Sequence, residues 1–481
     1  MPRFVARTPL PVSPEALADW HARPGAFERL TPPWQPVALE HFEGIGPGQR
    51  AVLRLGVGPA SVRWVAEHEA LPSGELGFAD RQLEGPFGRW RHEHRMMPAA
   101  TPGASVLKDA VAYALPAAAV TAPLASGLAR AELERLFAYR HRVTRADLAR
   151  HAAGAGAAPM TVAVTGASGL VGRALAALLT TGGHRVVRLV RSRGEAVRLN
   201  RGPLERAVYW NPEADEIDLG GLAQAAPEAV VHLAGEPVFG LRWTARKKRR
   251  IWESRARGTR LLARALALLE PRPRLLVSAS ASGYYGTRGA DLLPEDAPPG
   301  DGFLADVCRA WEAATEDAEA AGLRIIHARI GIVLSPAGGA LARLGPVVQA
   351  GLGAWPGDGA AFWPWIALDD LAYALLHLLR TEDLCGPVNL AAPAPATART
   401  VVRTLARVLR RPALAGVPAP ALRALAGEQA DAVLLASARM VPARLTASGF
   451  SFAYPVLETA LRHLYGRLGP PEGTAFAHSP D

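Results

Sequence analysis

One short stretch of the sequence, TVAVTGASGLVG at residues 161–172, carries the strongest structural signal in the chain. A β-branched run leads into Gly166, Gly169 and Gly172, and the Ala/Leu-rich residues that follow predict a helix over 173–179. In this strand–turn–helix order the first glycine permits a tight turn, the second lets backbone amides approach a pyrophosphate, and the third lets the helix pack on the strand. The residues expected to contact a dinucleotide here are Gly166, Ser168, Gly169, Leu170, Val171 and Gly172.

A second strand is predicted at residues 184–190, and Arg191 and Arg193 follow its end. A site selective for NAD would carry Asp or Glu there to bind the ribose 2′-hydroxyl, whereas arginines suit a 2′-phosphate. The sequence therefore predicts NADP(H) as the cofactor. Two solvated arginines in an Arg-rich protein are the alternative interpretation.

Three further strands are predicted at residues 228–235, 274–280 and 323–334, with helical segments between them. This alternation predicts an α/β Rossmann fold, a doubly wound parallel sheet whose ligands lie at the carboxyl ends of the strands. Small or polar residues end the third and fourth strands and are expected beside the cofactor. They are Leu233, Ala234, Gly235, Glu236 and Ser278.

Several motifs together resemble those of one protein family. They are TGASGLVG at 165–172, LAGEP at 233–237, RW at 242–243, ESR at 253–255, SASASGYYG at 278–286, VCRAWE at 307–312 and PWI at 364–366. The combination resembles the atypical extended short-chain dehydrogenase/reductase (SDR) proteins called the epimerase family, which carry a small carboxyl-terminal domain of unknown function. The resemblance covers roughly residues 160–467. It implies NADP(H) binding, an ancestry among nucleoside-diphosphate-sugar epimerases or reductases, and a place for Arg255 at the cofactor.

The sequence departs from extended dehydrogenases at their catalytic pair. Those enzymes use a Tyr and a Lys four residues apart on one helix, and alignment on Glu312 puts Leu304 and Cys308 at these positions. If a reaction occurs, the candidate catalytic residues are Ser280, which could bond a carbonyl oxygen, and Tyr284, which could donate a proton. Backbone bonding by the serine and packing of the tyrosine under the cofactor are equally good alternatives. The cysteine is interpreted as a small buried residue.

The amino-terminal part has a different pattern of predicted elements: one short helix starting at Ser13, several short strands and a long amphipathic helix over 124–150. This order resembles the START-like, polyketide-cyclase type (SRPBCC) α+β helix-grip fold, which implies a hydrophobic ligand between sheet and helix. His92 and His94 point the same way on a predicted strand. The pair could bind a metal or line the rim of a polar pocket, but because no third ligand is evident, a solvated strand face is expected there and no metal site.

The Ala/Gly-rich segment at 152–159 can bury little and is predicted to be a linker. The sequence therefore predicts a START-like domain, a linker, a Rossmann domain, a small carboxyl-terminal domain and a frayed tail. Their bounds are 1–151, 152–159, 160–410, 411–467 and 468–481.

Composition excludes some functional classes. The net charge of +10 comes almost wholly from arginine in an Ala-, Gly- and Pro-rich chain, so nucleic-acid binding is not expected. Two cysteines cannot form a disulfide framework, and we find no apolar signal core and no run of about 20 apolar residues. A soluble cytoplasmic protein without a membrane span is expected.

Two functions remain open from the sequence. The first is an NADP(H)-dependent oxidoreductase or epimerase that acts on a small molecule, with a hydrophobic ligand in the amino-terminal domain. The second is a non-catalytic NADP(H)-binding sensor or regulatory protein. The missing Tyr/Lys pair favours the sensor, whereas the retained SASASGYYG segment favours the enzyme.

Overall fold

The computed structural model describes residues 1–72, 74–115, 118–154, 156, 158–199, 204–240 and 242–479. The chain divides into two compact units. The first comprises Met1–Ala157 with Arg462–Asp481, and the second comprises Ala158–Leu461. Among the described residues, every helix is too short or too polar to cross a membrane.

The first unit is built on one antiparallel sheet. Its first seven strands are β1 Arg3–Leu10, β2 Val37–Phe42, β3 Arg50–Leu55, β4 Val62–Glu69, β5 Gly77–Glu84, β6 Arg89–Pro98 and β7 Ser105–Ala114. Its helices are α1 Pro14–Ala22, α2 Ala26–Leu30 and α3 Ala118–Ala152. The strands lie in the order β2-β3-β4-β5-β6-β7-β1. Helix α1 begins where predicted, because the Ser13 hydroxyl accepts a hydrogen bond from the Ala16 amide.

Helix α3 packs on one face of this sheet. The ring of Phe137 lies 5.1 Å from that of Phe4 and 5.2 Å from that of His92. Every second residue of β6 is buried, and His92 and His94 are only 3% and 8% exposed. The predicted solvated strand face is therefore wrong at these two histidines, because the helical layer covers the side of the sheet to which they point.

The described residues of the second unit contain sixteen strands, most of them short. They are β8 Thr161–Thr165, β9 Arg185–Val190, β10 Glu205–Asn211, β11 Glu216–Ile217, β12 Ala229–His232, β13 Leu275–Ala281, β14 Leu292–Leu293, β15 Arg324–Ile330, β16 Ile332–Ser335, β17 Gly353–Pro356, β18 Phe362–Trp363, β19 Trp365–Ala367, β20 Gly386–Leu390, β21 Ala396–Thr397, β22 Ala413–Val417 and β23 Arg439–Met440.

The helices from the start of the second unit onward number twelve in the described residues. They are α4 Leu170–Thr181, α5 Arg193–Leu199, α6 Leu219–Ala225, α7 Ala245–Ala267, α8 Phe303–Ala313, α9 Glu316–Ala320, α10 Gly339–Gln349, α11 Leu368–Arg380, α12 Ala398–Leu409, α13 Ala419–Ala426, α14 Ala443–Ala447 and α15 Leu457–Leu464. The last three residues of α15 belong to the first unit.

Seven strands of the second unit form a parallel sheet in the order β10-β9-β8-β12-β13-β15-β20, and β11 joins β10 antiparallel. The chain starts in the middle at β8, winds to one edge and then to the other, so the predicted doubly wound Rossmann fold is confirmed. All five residues of β8 are buried. The winding direction changes between β8 and β12, and a crevice for a ligand forms at such a point.

Some predicted parts differ in detail. Residues expected to fray form β24, Ala475–Ser479, which pairs antiparallel with β1 and places Phe476 5.5 Å from Phe4. That burial of an aromatic ring outweighs the entropy of a free tail. Helix α3 continues to Ala152, and linker residues 155 and 157 lie outside the described residues. In the segment 411–467, β22 and β23 pair with β17 and β14.

Candidate active site

The glycine turn between β8 and α4 has room only for glycine at two positions. Gly166 has φ +66°, and a Cβ added there would lie 2.9 Å from the carbonyl carbon of Leu233. A Cβ on Gly172 would lie 2.2 Å from the Gly166 oxygen and 2.7 Å from the Ala167 Cα. These neighbours are backbone atoms that cannot rotate away. The glycine turn, the start of α4 and the end of β12 therefore pack backbone against backbone at the place where a dinucleotide is expected.

The amino terminus of α4 offers backbone donors. Gly169 is its N-cap and provides no side-chain cap, and its own amide donates to the Gly166 oxygen at 2.9 Å. Ser168 and Gly169 are exposed, and Leu170 and Val171 are half-buried. A helix of twelve residues with uncapped first-turn amides is a favourable site for a phosphate group. The turn thus fits the pyrophosphate of a dinucleotide.

A buried hydrogen-bond chain holds the two central strand ends together. The Thr165 hydroxyl accepts from the amides of Leu233 and Ala234 at 3.1 and 3.2 Å and lies 2.7 Å from His232 Nδ1. With both lone pairs used, the hydroxyl donates its proton to Nδ1, so the ring carries its hydrogen on Nε2 and donates to Thr259 at 2.9 Å. Burial, with the charge of Arg255, lowers the pKa of His232 to about 3. This hydrogen-bond chain through Thr165, His232 and Thr259 was not predicted from the sequence.

The two arginines after β9 differ in their surroundings. Both side chains are exposed. Arg193 stacks on the Tyr209 ring at 4.1 Å and pairs with Glu216 at 3.3 Å. Arg191 lies between the end of β9 and the start of α5, beside the carboxyl edge of the sheet. The structure thus presents one guanidinium to solvent and holds the other over an aromatic ring.

The loop after β12 is braced from α7. Arg255 donates to the Glu236 carbonyl at 2.9 Å and stacks on Trp311 at 4.8 Å. A Cβ on Gly235 would lie 3.2 Å from this guanidinium. The structure therefore places Arg255 against the backbone of the predicted cofactor loop. The Glu236 carboxylate accepts from Lys247 of α7 at 2.7 Å, a second contact between this loop and the helix.

A polar row crosses three strands at the same level. Ser280 on β13, Arg329 on β15 and Asn389 on β20 lie side by side in the sheet register. Arg329 donates from Nε to Glu312 Oε1 at 2.8 Å and from Nη2 to Oε2 at 2.9 Å, in a bidentate ion pair that is almost wholly buried. The anionic partner of the buried Arg329 guanidinium is thus a carboxylate of helix α8.

Ser280 points its hydroxyl at that same carboxylate. Its Oγ donates to Glu312 Oε1 at 2.7 Å, and the residue is 2% exposed. The expectation that Ser280 bonds a substrate carbonyl is not supported by this geometry, because its one proton is already donated to Glu312. Ser278, two residues earlier, is fully buried and its Oγ has no hydrogen-bond partner among the described residues. A bound group could satisfy that hydroxyl.

The two tyrosines of the SASASGYYG segment have different environments. Tyr285 is fully buried, donates to Asn389 at 2.7 Å and accepts from Arg329 at 3.1 Å. Burial raises its pKa to about 12, so its phenol stays protonated. Tyr284 is only half-buried, and the Arg329 guanidinium lies 3.4 Å from its ring centroid. Of the two, Tyr284 is the more exposed residue.

Helix α8 packs against the 3₁₀ turn Ser282–Tyr285, which contains both tyrosines. A Cβ on Gly283 would lie 3.1 Å from Leu304 Cβ and 3.7 Å from Cys308 Sγ. Burial raises the pKa of the Cys308 thiol to about 11, and the residue is 3% exposed. The helix positions that carry Tyr and Lys in extended dehydrogenases are thus filled by an apolar side chain and a protonated thiol.

Two family models match the chain. The NAD-dependent epimerase/dehydratase family matches residues 162–391, and a domain of unknown function matches residues 417–464. An epimerase family protein of Mycobacterium tuberculosis is 38% identical over 309 residues, which cover 64% of this chain and 98% of that protein. Both family models lie outside the amino-terminal 157 residues.

Solved structures extend the comparison. The crystal structure of the nucleoside-diphosphate sugar epimerase from Corynebacterium glutamicum has a TM-score of 0.77 and 32% identity, and covers 97% of this chain and 91% of that chain. The crystal structure of human epimerase family protein SDR39U1 (isoform 2) with NADPH has a TM-score of 0.56 and 30% identity, and covers 64% of this chain and 100% of that chain. The first likeness therefore includes the amino-terminal unit.

Proposed function

Since the chain belongs to the NAD-dependent epimerase/dehydratase family, we propose that it is an NADP(H)-dependent oxidoreductase or epimerase that acts on a small molecule. The observation that carries the proposal is the glycine turn, where Gly166 and Gly172 admit no side chain and the first amides of α4 lack a side-chain cap. Such a turn accommodates a pyrophosphate at close backbone approach. Ser278, a buried hydroxyl with no hydrogen-bond partner in the described part of the chain, lies where the pairing of β12 with β13 ends.

The preference for NADP(H) rests on the end of β9. Arg191 and Arg193 stand where an NAD-selective site would carry a carboxylate, and an arginine pairs well with a 2′-phosphate. Arg191 has its guanidinium in solvent, ready for such a partner. The human relative whose structure contains NADPH lends further support.

A bound nicotinamide nucleotide supplies hydride chemistry. The chain must then supply a proton donor, and we assign that role to Tyr284. Arg329 is locked by two hydrogen bonds to Glu312 and lies on the face of the Tyr284 ring, so it fixes the direction of the phenol. Ser280 supports this arrangement by bonding the same carboxylate, which makes it a positioning residue.

The cofactor assignment is tested by titrating the full-length protein with NADPH and NADH. Arg191→Ala should weaken NADPH binding by about 10- to 100-fold, because a charge-assisted contact worth about 1.5–3 kcal/mol is lost. NADH binding should not change. Arg185→Ala is the matched control, since Arg185 is an exposed arginine at the opposite end of the same strand. Equal affinities of the two variants for NADPH would refute the 2′-phosphate contact.

The proton donor is tested by single-turnover oxidation of bound NADPH against a panel of carbonyl compounds. Tyr284→Phe should abolish the oxidation while leaving NADPH affinity unchanged. Tyr285→Phe removes the neighbouring hydroxyl and should lower stability but keep the reaction. If Tyr284→Phe retains the wild-type rate with a compound that the wild type reduces, the assignment is wrong. If wild-type protein binds NADPH tightly but oxidises it with none of the carbonyls, the enzymatic proposal loses its support.

We also propose that residues 1–151 form a START-like domain that holds a hydrophobic small molecule. Its support is the long helix α3 lying across an antiparallel sheet, with Phe137 packed on Phe4. Fusion to the second unit would raise the effective concentration of a shared ligand. Native mass spectrometry of the purified protein, followed by organic extraction, should reveal a co-purifying apolar compound. Protein that stays unliganded when incubated with a library of lipids and polyketides would argue against it.

A further inference from the structure

A cluster of buried acidic and imidazole side chains lies on the helix-covered face of the antiparallel sheet, in the first unit. Asp80 on β5 pairs in register with His92 on β6, and His94 pairs with Asp109 on β7. The four side chains therefore occupy adjacent positions on three neighbouring strands. This cluster shares no residue with the proposed cofactor site and does not depend on it.

Three of these residues offer ligand atoms that converge. Asp80 Oδ2 lies 3.4 Å from His92 Nδ1 and 3.8 Å from His94 Nε2. The three ligand atoms all lie within 4.8 Å of one another. Around a metal ion with bonds of about 2.0–2.2 Å, neighbouring ligand atoms stand roughly 3–3.5 Å apart. A small inward movement of the side chains would complete such a site.

The other polar atoms of Asp80 and His92 have hydrogen-bond partners of their own, so the atoms that converge remain available to a metal ion. Asp80 Oδ1 accepts from the Trp90 indole at 3.3 Å, so Oδ2 is the oxygen that faces the histidines. His92 Nε2 is 2.8 Å from Asp109 Oδ1, and a carboxylate there accepts the ring N–H. The lone pair of His92 is then on Nδ1, which points at Asp80.

His94 is held in the same orientation by two contacts. Its Nδ1 lies 2.8 Å from the same Asp109 oxygen in an ion-pair contact, although within the described part of the chain this buried nitrogen makes no hydrogen bond. Phe78 stacks on its ring, with centroids 4.3 Å apart. Asp109 also binds His141 through its other oxygen at 2.6 Å. A carboxylate behind two imidazoles is the usual outer-shell arrangement of histidine metal ligands.

Charge balance also favours a cation. Asp80 and Asp109 bring two carboxylates into the interior of the unit, where unpaired charge is costly. The charge of Asp109, acting against burial, raises the pKa of His94 to about 9, so a divalent ion would displace that proton on binding and would balance both negative charges. The ligand types narrow the choice of ion. Imidazole with carboxylate suits zinc, iron, copper or nickel, whereas magnesium and calcium prefer oxygen ligands alone.

We propose that Asp80, His92 and His94 bind one divalent transition-metal ion of the zinc type, and that Asp109 orients both imidazoles. Three protein ligands leave a further position for water or for a ligand of the amino-terminal unit. The sequence contains the His-x-His pair, but its third ligand is provided by the neighbouring strand.

The test uses full-length protein stripped with a chelator and then titrated with Zn²⁺ and Co²⁺, with stoichiometry from calorimetry and visible absorption. Wild type should bind one tight equivalent per chain. Asp80→Asn, which keeps the acceptor for Trp90, should lose it, and Asp109→Asn should bind about 10- to 100-fold more weakly. His41→Ala is the control, since His41 is an exposed histidine of the same unit paired with Glu43 at 3.2 Å. Equal binding by Asp80→Asn and wild type would overturn the proposal.

A second measurement does not depend on the variants folding. Zinc-edge X-ray absorption of the wild-type protein loaded with one equivalent should show two imidazole ligands and oxygen. Sulfur ligation would point to the exposed Cys385 instead, and fewer than two imidazoles would exclude this cluster. Folded wild-type protein that takes up no Zn²⁺ or Co²⁺ would mean that His94 carries a proton and pairs with the carboxylates, which also overturns the proposal.

Discussion

Replacing Glu312 with Gln removes the charge that neutralises Arg329 in the interior of the second unit. Arg329 is 3% exposed and the Glu312 side chain 12% exposed, and the pair is bidentate with N–O distances of 2.8 and 2.9 Å. Breaking a buried pair by neutralising one partner costs about 3–5 kcal/mol. Because Gln keeps one acceptor oxygen and the guanidinium still faces two tyrosine rings, we expect about 3 kcal/mol.

The free energy of unfolding of the second unit would be measured by urea denaturation at pH 7. Asp317→Asn is the matched control, since Asp317 makes an exposed pair with Arg264 at 3.1 Å and the same carboxylate-to-amide change should cost less than about 0.5 kcal/mol. Arg329→Met completes a double-mutant cycle. With both partners replaced no buried charge is left unpaired, so the double variant should be about 2 kcal/mol more stable than the sum of the single effects predicts.

Two results would refute this reasoning. One is a Glu312→Gln variant no less stable than the Asp317→Asn control, which would mean that water reaches the guanidinium and screens it. The other is strict additivity of the two single substitutions. Either result would also remove the reason for treating Arg329 as a fixed support under Tyr284.

Three further outcomes follow from the second unit. Gly172→Ala should lower NADPH affinity more than 10-fold, because the new Cβ would meet backbone at 2.2 Å, whereas Gly194→Ala, whose nearest neighbour is a side-chain oxygen at 3.7 Å, should bind normally. Burial lowers the pKa of His232 from 6.5 to about 3. As the pH falls below 6.5, the unfolded state therefore binds a proton that the folded state does not, and the free energy of unfolding should decrease by at most about 1.4 kcal/mol per pH unit. In His232→Gln, the free energy of unfolding measured between pH 4 and 7 should depend less steeply on pH. Tyr285→Phe should cost about 1–3 kcal/mol in thermal or urea unfolding, because the buried Asn389 oxygen loses its donor. A wild-type slope in the histidine variant, or unchanged stability in the tyrosine variant, would contradict the respective burial argument.

The Rossmann sheet was predictable where its signals are local. Strand β8, TVAVT, is rich in β-branched residues and leads directly into the glycine turn, so its identity follows from a dozen consecutive residues. Strands β10 and β20 were not predicted. The first, ERAVYWN, mixes charged and apolar residues, and the second, GPVNL, opens with two residues that ordinarily indicate a turn. Their strand state comes from pairing with β9 and β15, which no local pattern reveals.

The candidate sites also divide into features with a local sequence signal and features that depend on tertiary packing. The cofactor turn is one continuous segment, and the arginines directly follow the next strand, so residue types and spacing were enough to predict a dinucleotide site. The bond from Ser280 to Glu312 was not predictable, because it depends on how helix α8 lies across β13. Sequence reasoning named this serine from its strand-end position and missed the carboxylate, although the VCRAWE motif contained it.

The histidine cluster of the first unit depends on register more than on any motif. A period of two was sufficient to put His92 and His94 on one face, but their burial required the helical layer that covers that face. Asp80 and Asp109 join them only because loops 85–88 and 99–104 set the pairing of β5 and β7 with β6. A shift of one residue in either pairing would turn that carboxylate to the opposite face. The proposed metal site is therefore encoded as much by the lengths of two loops as by its own four residues.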